Sequence, residues 1–288
     1  LMYGFKGHEY LFIGKDPFDI ETHNQHLDNI DFHYGRCWPL DIALWDLMGK
    51  AVNKPTYKLL GGKTDRVLAY ASCGEMIDVE ERIERTHRLI EMGFKAMKIR
   101  FHNMDDVSKD IKLIEELRKA VGNKIEIMVD ANQGWRMAHD IETPWDLKKA
   151  YQVAKELEKL DVYWLEEPLP HWDLEGMARL REMTGIRIAG GELNRRTSEY
   201  TQLCARGCLD VYQPDVTVCG GITGVKKIAT MVKAFGAAFS PHTWSNGIGL
   251  IANLHLCCGI GDVSFLELPF DPPAWTPERR DFVQTKES

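Results

Sequence analysis

Eight residues with ionisable side chains fall at or beside the ends of seven short β-like runs, and together they carry charge-handling chemistry. They are Lys98 and Arg100 on one run, then Asp130, Glu166, Glu192, Asp215, His242 and Glu267 on the six that follow. One alone would say little, because polar residues often end strands. Seven consecutive runs bringing such groups to one rim place several carboxylates together, and these repel one another unless a cation sits among them. Asp130, Glu166 and Glu192 come from three adjacent runs, so their oxygens can converge on one ion. All-oxygen ligation favours a hard cation, and room for water and substrate favours Mg²⁺ over Ca²⁺. The plainer alternative is that the acids form salt bridges inside the mouth that the strands create.

The other groups suit proton transfer and charge stabilisation. Lys98 and Arg100 are two apart on an extended segment and share a face. A lysine beside a metal can bind a carboxylate or take a proton, whereas arginine keeps its proton and suits orientation. His242 is the evident base of neutral pH, and Asp215, one strand away, can fix its tautomer. Glu267 is expected as a protonated carboxyl donating to a developing oxyanion. If Glu166 faces a metal, its neighbour Glu167 should face away or touch the ligands from behind. His102 can reach the site or cap the next helix, and His171 reads as a surface residue. The pairs Gly190–Gly191 and Gly220–Gly221 are assigned to tight turns, and Trp135 and Trp244 to the walls of a pocket.

From about residue 66 the pattern alternates. Strand expectations are Val67–Cys73, Ala96–Phe101, Ile125–Asp130, Val162–Leu165, Ile186–Gly190, Leu209–Tyr212, Ala237–Ser240 and Val263–Leu266, with helical periodicity between them. Eight strands and seven intervening helices in roughly 200 residues have the rhythm of a (β/α)₈ barrel. A doubly wound sheet would want a glycine-rich turn after its first strand, and none is present. The expected organisation is a helical segment at 1–62, a barrel at 63–270 and a tail at 271–288. Within the first segment Pro39–Ala51 reads as a helix with Leu40, Ala43, Leu44, Leu47 and Met48 on one face.

Composition narrows the classes further. The 288 residues are 44% hydrophobic and 27% charged, in the globular range. A net charge of −7 argues against nucleic acid as a partner. No apolar run is long enough to cross a membrane and no export leader is evident, so a soluble, cytoplasmic chain is expected. Seven cysteines without a CxxC pair read as buried thiols rather than zinc ligands.

Taken in order, these passages resemble the enolase superfamily, and within it the mandelate racemase-like subgroup. The matching text is Asp41-Ile-Ala-Leu-Trp-Asp46, Lys98-Ile-Arg100, Val129-Asp130-Ala-Asn132, Trp164-Leu-Glu-Glu-Pro168 and Gly191-Glu192. It continues with Gln213-Pro-Asp215, Gly220-Gly-Ile-Thr-Gly224, Pro241-His242 and Leu266-Glu267. The resemblance implies a barrel preceded by an α+β capping domain, of which 1–62 looks like the helical remainder, and a homo-oligomer. It also implies abstraction of the proton α to a carboxylate, through an enediolate stabilised by Mg²⁺ on Asp130, Glu166 and Glu192. On that mapping His242 with Asp215 is the base or acid, Lys98 assists the substrate carboxylate and Glu267 donates to it. Arg100 stands where the family often has a second lysine base. A racemase needs groups on both faces of the α-carbon, so dehydration of a sugar acid to a 2-keto-3-deoxy acid is the favoured expectation. The alternatives are a racemase or epimerase of an α-hydroxy acid, and an inactive barrel that binds metal without turnover.

Overall fold

Side chains on a strand alternate between its two faces, and this rule builds the interior of the molecule. The computed structural model describes residues 5–102, 106–138, 140–245, 247–270 and 278. Three helices come first: α1 (Ile20–Tyr34), α2 (Pro39–Ala51) and α3 (Thr56–Leu59). Then β1 (Ala69–Cys73), α4 (Val79–Glu91), β2 (Ala96–Arg100), α5 (Ser108–Val121) and β3 (Glu126–Asp130) follow. The alternation continues with α6 (Leu147–Lys159), β4 (Trp164–Glu166), α7 (Leu174–Met183), β5 (Arg187–Gly190) and α8 (Thr197–Ala205). It ends with β6 (Val211–Tyr212), α9 (Gly221–Ala234), β7 (Ala238–Phe239), α10 (Gly247–Ile260) and β8 (Leu266–Pro269).

All strand pairs are parallel, in the order β7-β6-β5-β4-β3-β2-β1-β8. The sheet curls until its ends meet: Ser264 N–H donates to Phe239 O at 3.1 Å, and Ser240 Oγ donates to Phe265 O at 2.8 Å. The result is a (β/α)₈ barrel. Asp78, Asp146 and Asp173 cap the N-termini of α4, α6 and α7 by accepting from backbone N–H groups three residues on, as short βα turns require.

Two apolar layers hold the barrel. The larger lies between the sheet and the surrounding helices, for example Met97, Ile127, Val129, Leu165 and Ile188 against Ile114, Leu117 and Leu180. The smaller fills the barrel's interior floor: Tyr70, Ala96, Met128, Trp164, Ala189, Val211 and Phe265. Tyr70 and Trp164 meet edge to face there at 5.4 Å and 84°.

Two expectations are corrected. The eighth strand is Leu266–Pro269 rather than Val263–Leu266. Ser264 is spent closing onto β7, and only from Leu266, whose N–H donates to Leu68 O at 2.8 Å, does the chain run beside β1. Strand β7 stops at Phe239, one residue short of Ser240, while β5 and β6 end at Gly190 and Tyr212 as expected, so Glu192, Asp215 and His242 lie in the loops just beyond their strands. Helix α1 is additional to the helix read at Pro39–Ala51. Among the described residues no helix is long and apolar enough to cross a membrane. All seven cysteines are buried free thiols, and the tail at 271–288 lies outside the described residues except for Glu278.

The N-terminal helices are locked to the barrel through one buried carboxylate. Asp41 on α2 accepts from Thr223 N–H at 3.0 Å, in the first turn of α9, and from Asn24 Nδ2 at 3.1 Å. Trp45, one helical turn on, donates its indole N–H to Thr223 Oγ1 at 2.8 Å. Gly221 has φ +71°, and a methyl added there would run into the Asp41 carboxylate. Asp41→Ala is expected to cost about 1–3 kcal/mol, by losing the cap and leaving buried donors unpaired. Urea denaturation checks this; an unchanged midpoint would show that the contact does not hold the helices.

Candidate active site

On seven of the eight strands the apolar floor gives way, two residues further along, to a polar layer, and on β5 Ala189 is followed by Gly191. Tyr70, Ala96, Met128, Trp164, Val211, Ala238 and Phe265 are followed at that spacing by Ser72, Lys98, Asp130, Glu166, Gln213, Ser240 and Glu267. All seven of the latter are buried. Strand alternation therefore sets a polar layer, with Lys98, Asp130, Glu166 and Glu267 as its charged members, directly on a layer of hydrocarbon.

Lys98 is the cation of this layer. Its Nζ is hydrogen-bonded to Glu166 Oε1, lies 2.9 Å from Glu267 Oε1 and 3.7 Å from Asp130 Oδ2. It also sits over the Tyr70 ring, 5.5 Å from the centroid. Burial alone would lower its pKa, but Glu166, Glu267 and Asp130 together raise it well above the ordinary value. Glu267 is pulled the other way, to about 2: burial opposes ionisation, and the charges of Lys98 and His242 overcome it. Both of its oxygens are acceptors in this structure, Oε2 from Thr243 N–H at 2.8 Å and Oε1 from Trp244 Nε1–H at 3.0 Å.

Asp130, Glu166 and Glu192 each offer an oxygen within 4.8 Å of the others, and all three are buried. Burial raises the pKa of Glu166 to about 8 and that of Glu192 above its usual range, although Lys98 opposes the first and His242 the second. With Lys98 reaching only Glu166, Glu267 and Asp130, the three carboxylates of the triad cannot all carry full charge together without a further cation. A hard divalent cation suits that donor set, so these residues fit a metal such as Mg²⁺. Other groups fix the ligands. Glu166 Oε2 accepts from Gln213 Nε2 at 2.7 Å and Trp164 Nε1 at 3.1 Å. Glu192 Oε1 accepts from Trp135 Nε1 at 2.8 Å, and Asp130 Oδ1 accepts from Asn132 N at 2.9 Å.

Next to the triad stands an imidazole. His242 Nδ1 is 3.0 Å from Asp215 Oδ2, and its Nε2 is 3.5 Å from Glu192 Oε2 and 4.0 Å from Glu267 Oε2. The other Asp215 oxygen, Oδ1, accepts from Thr217 N–H and Oγ1 at 2.8 Å each and from Asn253 Nδ2 at 3.1 Å. Those donors hold Oδ1, and Oδ2 faces the ring. Burial works against a charge on His242, but Glu192, Glu267 and Asp215 raise its pKa to about 10. The negative charge that retains this proton belongs in part to Glu192, a residue of the metal-type triad.

The remaining candidates fall outside this core. Arg100 is exposed at the rim, its guanidinium 5.9 Å from the centroid of the Trp135 ring. Glu167, at φ +45°, packs against Gly134, where an added methyl would strike its carboxylate. Burial first, then Glu192 and Asp130, push its pKa well up. His102 donates its backbone N–H to Asp110 Oδ1 at 3.4 Å, and His171 Nδ1 lies 2.7 Å from Gly134 O. The sequence reading assigned no role to Gln213, Thr217 or Asn253; the alternation of β6 would have placed Gln213 on the inner face two residues beyond Val211.

Removing the shared cation tests this electrostatic account. Leaving a buried charge without its partner costs about 3–5 kcal/mol, so Lys98→Met is expected to melt well below the unaltered protein. Added Mg²⁺ should recover more stability in that variant than it gives the unaltered chain. Calorimetry with and without Mg²⁺ reads both effects, and equal melting temperatures would refute the role of Lys98.

Comparison with known proteins agrees with this geometry. A family model described as enolase C-terminal domain-like matches residues 81–286. Arabinonate dehydratase of Saccharolobus solfataricus is 34% identical over 224 residues, covering 77% of this chain and 57% of that protein. The chain thus spans little more than half the length of that relative. The crystal structure of the 3,6-anhydro-D-galactonate cycloisomerase from Zobellia galactanivorans has a TM-score of 0.82 at 30% identity, covering 97% of this chain and 76% of that one. A racemase from Streptomyces coelicolor A3(2), solved with bound magnesium, has a TM-score of 0.77 at 28% identity, covering 88% and 69%. With most of its length matched by the family model, the chain belongs to the enolase superfamily, on its mandelate racemase-like branch.

Proposed function

We propose that this barrel removes the proton α to the carboxylate of a sugar acid and expels the β-hydroxyl, giving a 2-keto-3-deoxy acid. The observation that carries the reading is a histidine, oriented by an aspartate, beside three converging buried carboxylates. Similarity to an arabinonate dehydratase supports the substrate class.

In this reading Asp130, Glu166 and Glu192 hold Mg²⁺, which when bound supplies positive charge to the substrate carboxylate as the α-carbon loses its proton. With the Glu192 charge that otherwise keeps the ring protonated offset by that ion, neutral His242 Nε2 takes the α-proton, and Asp215 stabilises the imidazolium through Nδ1. The electron pair left on the α-carbon forms the enediolate, then the double bond to the β-carbon as the hydroxyl departs. His242 returns its proton to that hydroxyl, so water leaves, and the enol becomes the 2-keto acid. Lys98 keeps the carboxylates from repelling one another, Glu267 holds Lys98 in place, and Arg100 at the rim orients the anionic substrate.

Dehydration is favoured over racemisation by what β2 offers. A racemase needs a second base, but Lys98 is bound by Glu166 and Glu267, and arginine keeps its proton. Similarity to a racemase makes racemisation or epimerisation the second reading.

A panel of sugar acids incubated with protein and Mg²⁺ in D₂O, followed by NMR, tests both. A 2-keto-3-deoxy product is expected. Deuterium at C2 of recovered substrate, with the hydroxyl retained, would move the assignment to a racemase or epimerase. Mg²⁺ binding without turnover of any acid would favour a barrel that only binds metal. His242→Asn is expected to bind Mg²⁺ normally and lose at least about 10²-fold in kcat, and full activity in that variant would remove the one-base mechanism. Glu192→Ala is expected to lose Mg²⁺ binding, measured by calorimetry.

A further inference from the structure

The end of β3 and the loop after it do more than supply Asp130 to the triad. Asp130 ends β3, and five residues later Trp135 reaches across to Glu192, beyond β5, and donates its indole N–H to Oε1 at 2.8 Å. The loop that carries the indole is tied down. Gln133 N–H donates to Glu167 O at 2.8 Å, and Gln133 Nε2 donates to Ala131 O at 2.7 Å. Gln133 Oε1 accepts from Trp145 N–H at 3.1 Å and from Arg136 Nη2 at 3.1 Å. Arg136 Nη1 adds bonds to Asn132 O at 3.3 Å and Trp135 O at 3.2 Å. On the other side of the indole, the Arg100 guanidinium lies 5.9 Å from the ring centroid, within the range of a cation–π contact.

We propose that Trp135 is a positioning residue for metal binding: its indole N–H clamps Glu192 Oε1 so that Oε2 faces the centre, and Arg100 holds the ring in place. This rests on the reading of Asp130, Glu166 and Glu192 as the metal ligands. The choice of donor matters physically. A lysine at this point would fix Glu192 equally well but would cancel the charge that attracts a cation. A neutral N–H restrains the rotamer and leaves the full charge available. Lys98 and Trp135 thus divide two tasks, one reducing repulsion among the acids and the other holding a ligand still. The arrangement also gives Arg100 a role that does not require it to lose its proton.

Trp135→Phe keeps the ring and removes the donor, and two measurements on the full chain decide the question. In a ¹H–¹⁵N spectrum the indole resonance missing from Trp135→Phe identifies Trp135 among the eight tryptophans. That resonance is expected to shift when Mg²⁺ is added and to move upfield in Glu192→Gln, where the acceptor loses its charge. By calorimetry Trp135→Phe is expected to bind Mg²⁺ about ten-fold more weakly, as for other groups that orient a ligand, with unchanged circular dichroism. Mg²⁺ affinity within about two-fold of the unaltered protein, or an indole resonance indifferent to Mg²⁺, would overturn the role of Trp135 and leave the metal reading intact. No Mg²⁺ binding by the unaltered protein would overturn both.

Discussion

A single ammonium group shared among carboxylates governs this site. Lys98 touches Glu166 and Glu267 and lies near Asp130, and it can do so because each is the inward residue of its strand, one step above the hydrocarbon floor. Without Lys98 four acids would face one another in a medium too poor in water to screen them. With it the repulsion is reduced but not removed, and the remainder is what makes the triad attractive to a divalent cation. The same residual charge raises the proton affinity of His242, so the metal-type triad and the imidazole share one electrostatic balance rather than acting as separate parts.

Neutral donors complete the arrangement. Trp164, Trp135 and Trp244 give indole N–H groups to Glu166, Glu192 and Glu267 in turn, and Thr217 with Asn253 does the equivalent for Asp215. Each restrains an acid without neutralising it. A site that must stay anionic and yet rigid has few other means available, since every additional lysine or arginine would weaken its attraction for a cation.

Much of this was legible in the chain itself. The barrel followed from alternating periodicities, and the acids that converge are those that strand ends would deliver. What escaped the sequence has identifiable causes. Helix α1 buries only His23, Leu27, Ile30 and Asp31, too thin an apolar stripe to stand out. The eighth strand was set late by its neighbours, because Ser264 closes onto β7 before Leu266 can pair beside β1. The downward pull on the Glu267 pKa comes from Lys98 and His242, which lie in distant parts of the chain, so no local pattern could reveal it. Asn253 and Thr217 belong to no recognisable motif, and only three-dimensional proximity shows that they hold Asp215.

Closure of the barrel wall is uneven, and this bears on where the molecule can move. Six of the strands lie in continuous ladders with neighbours on both sides, whereas β7 and β8 meet through one backbone bond and one serine hydroxyl. That seam is the cheapest place for the wall to breathe. Asp130, Glu166 and Glu192 belong to the well-laddered side, while His242 and Glu267 flank the seam. On the proposed function, the groups that would handle the proton thus stand beside the least-laddered part of the wall, and the carboxylate triad stands on its continuously paired side.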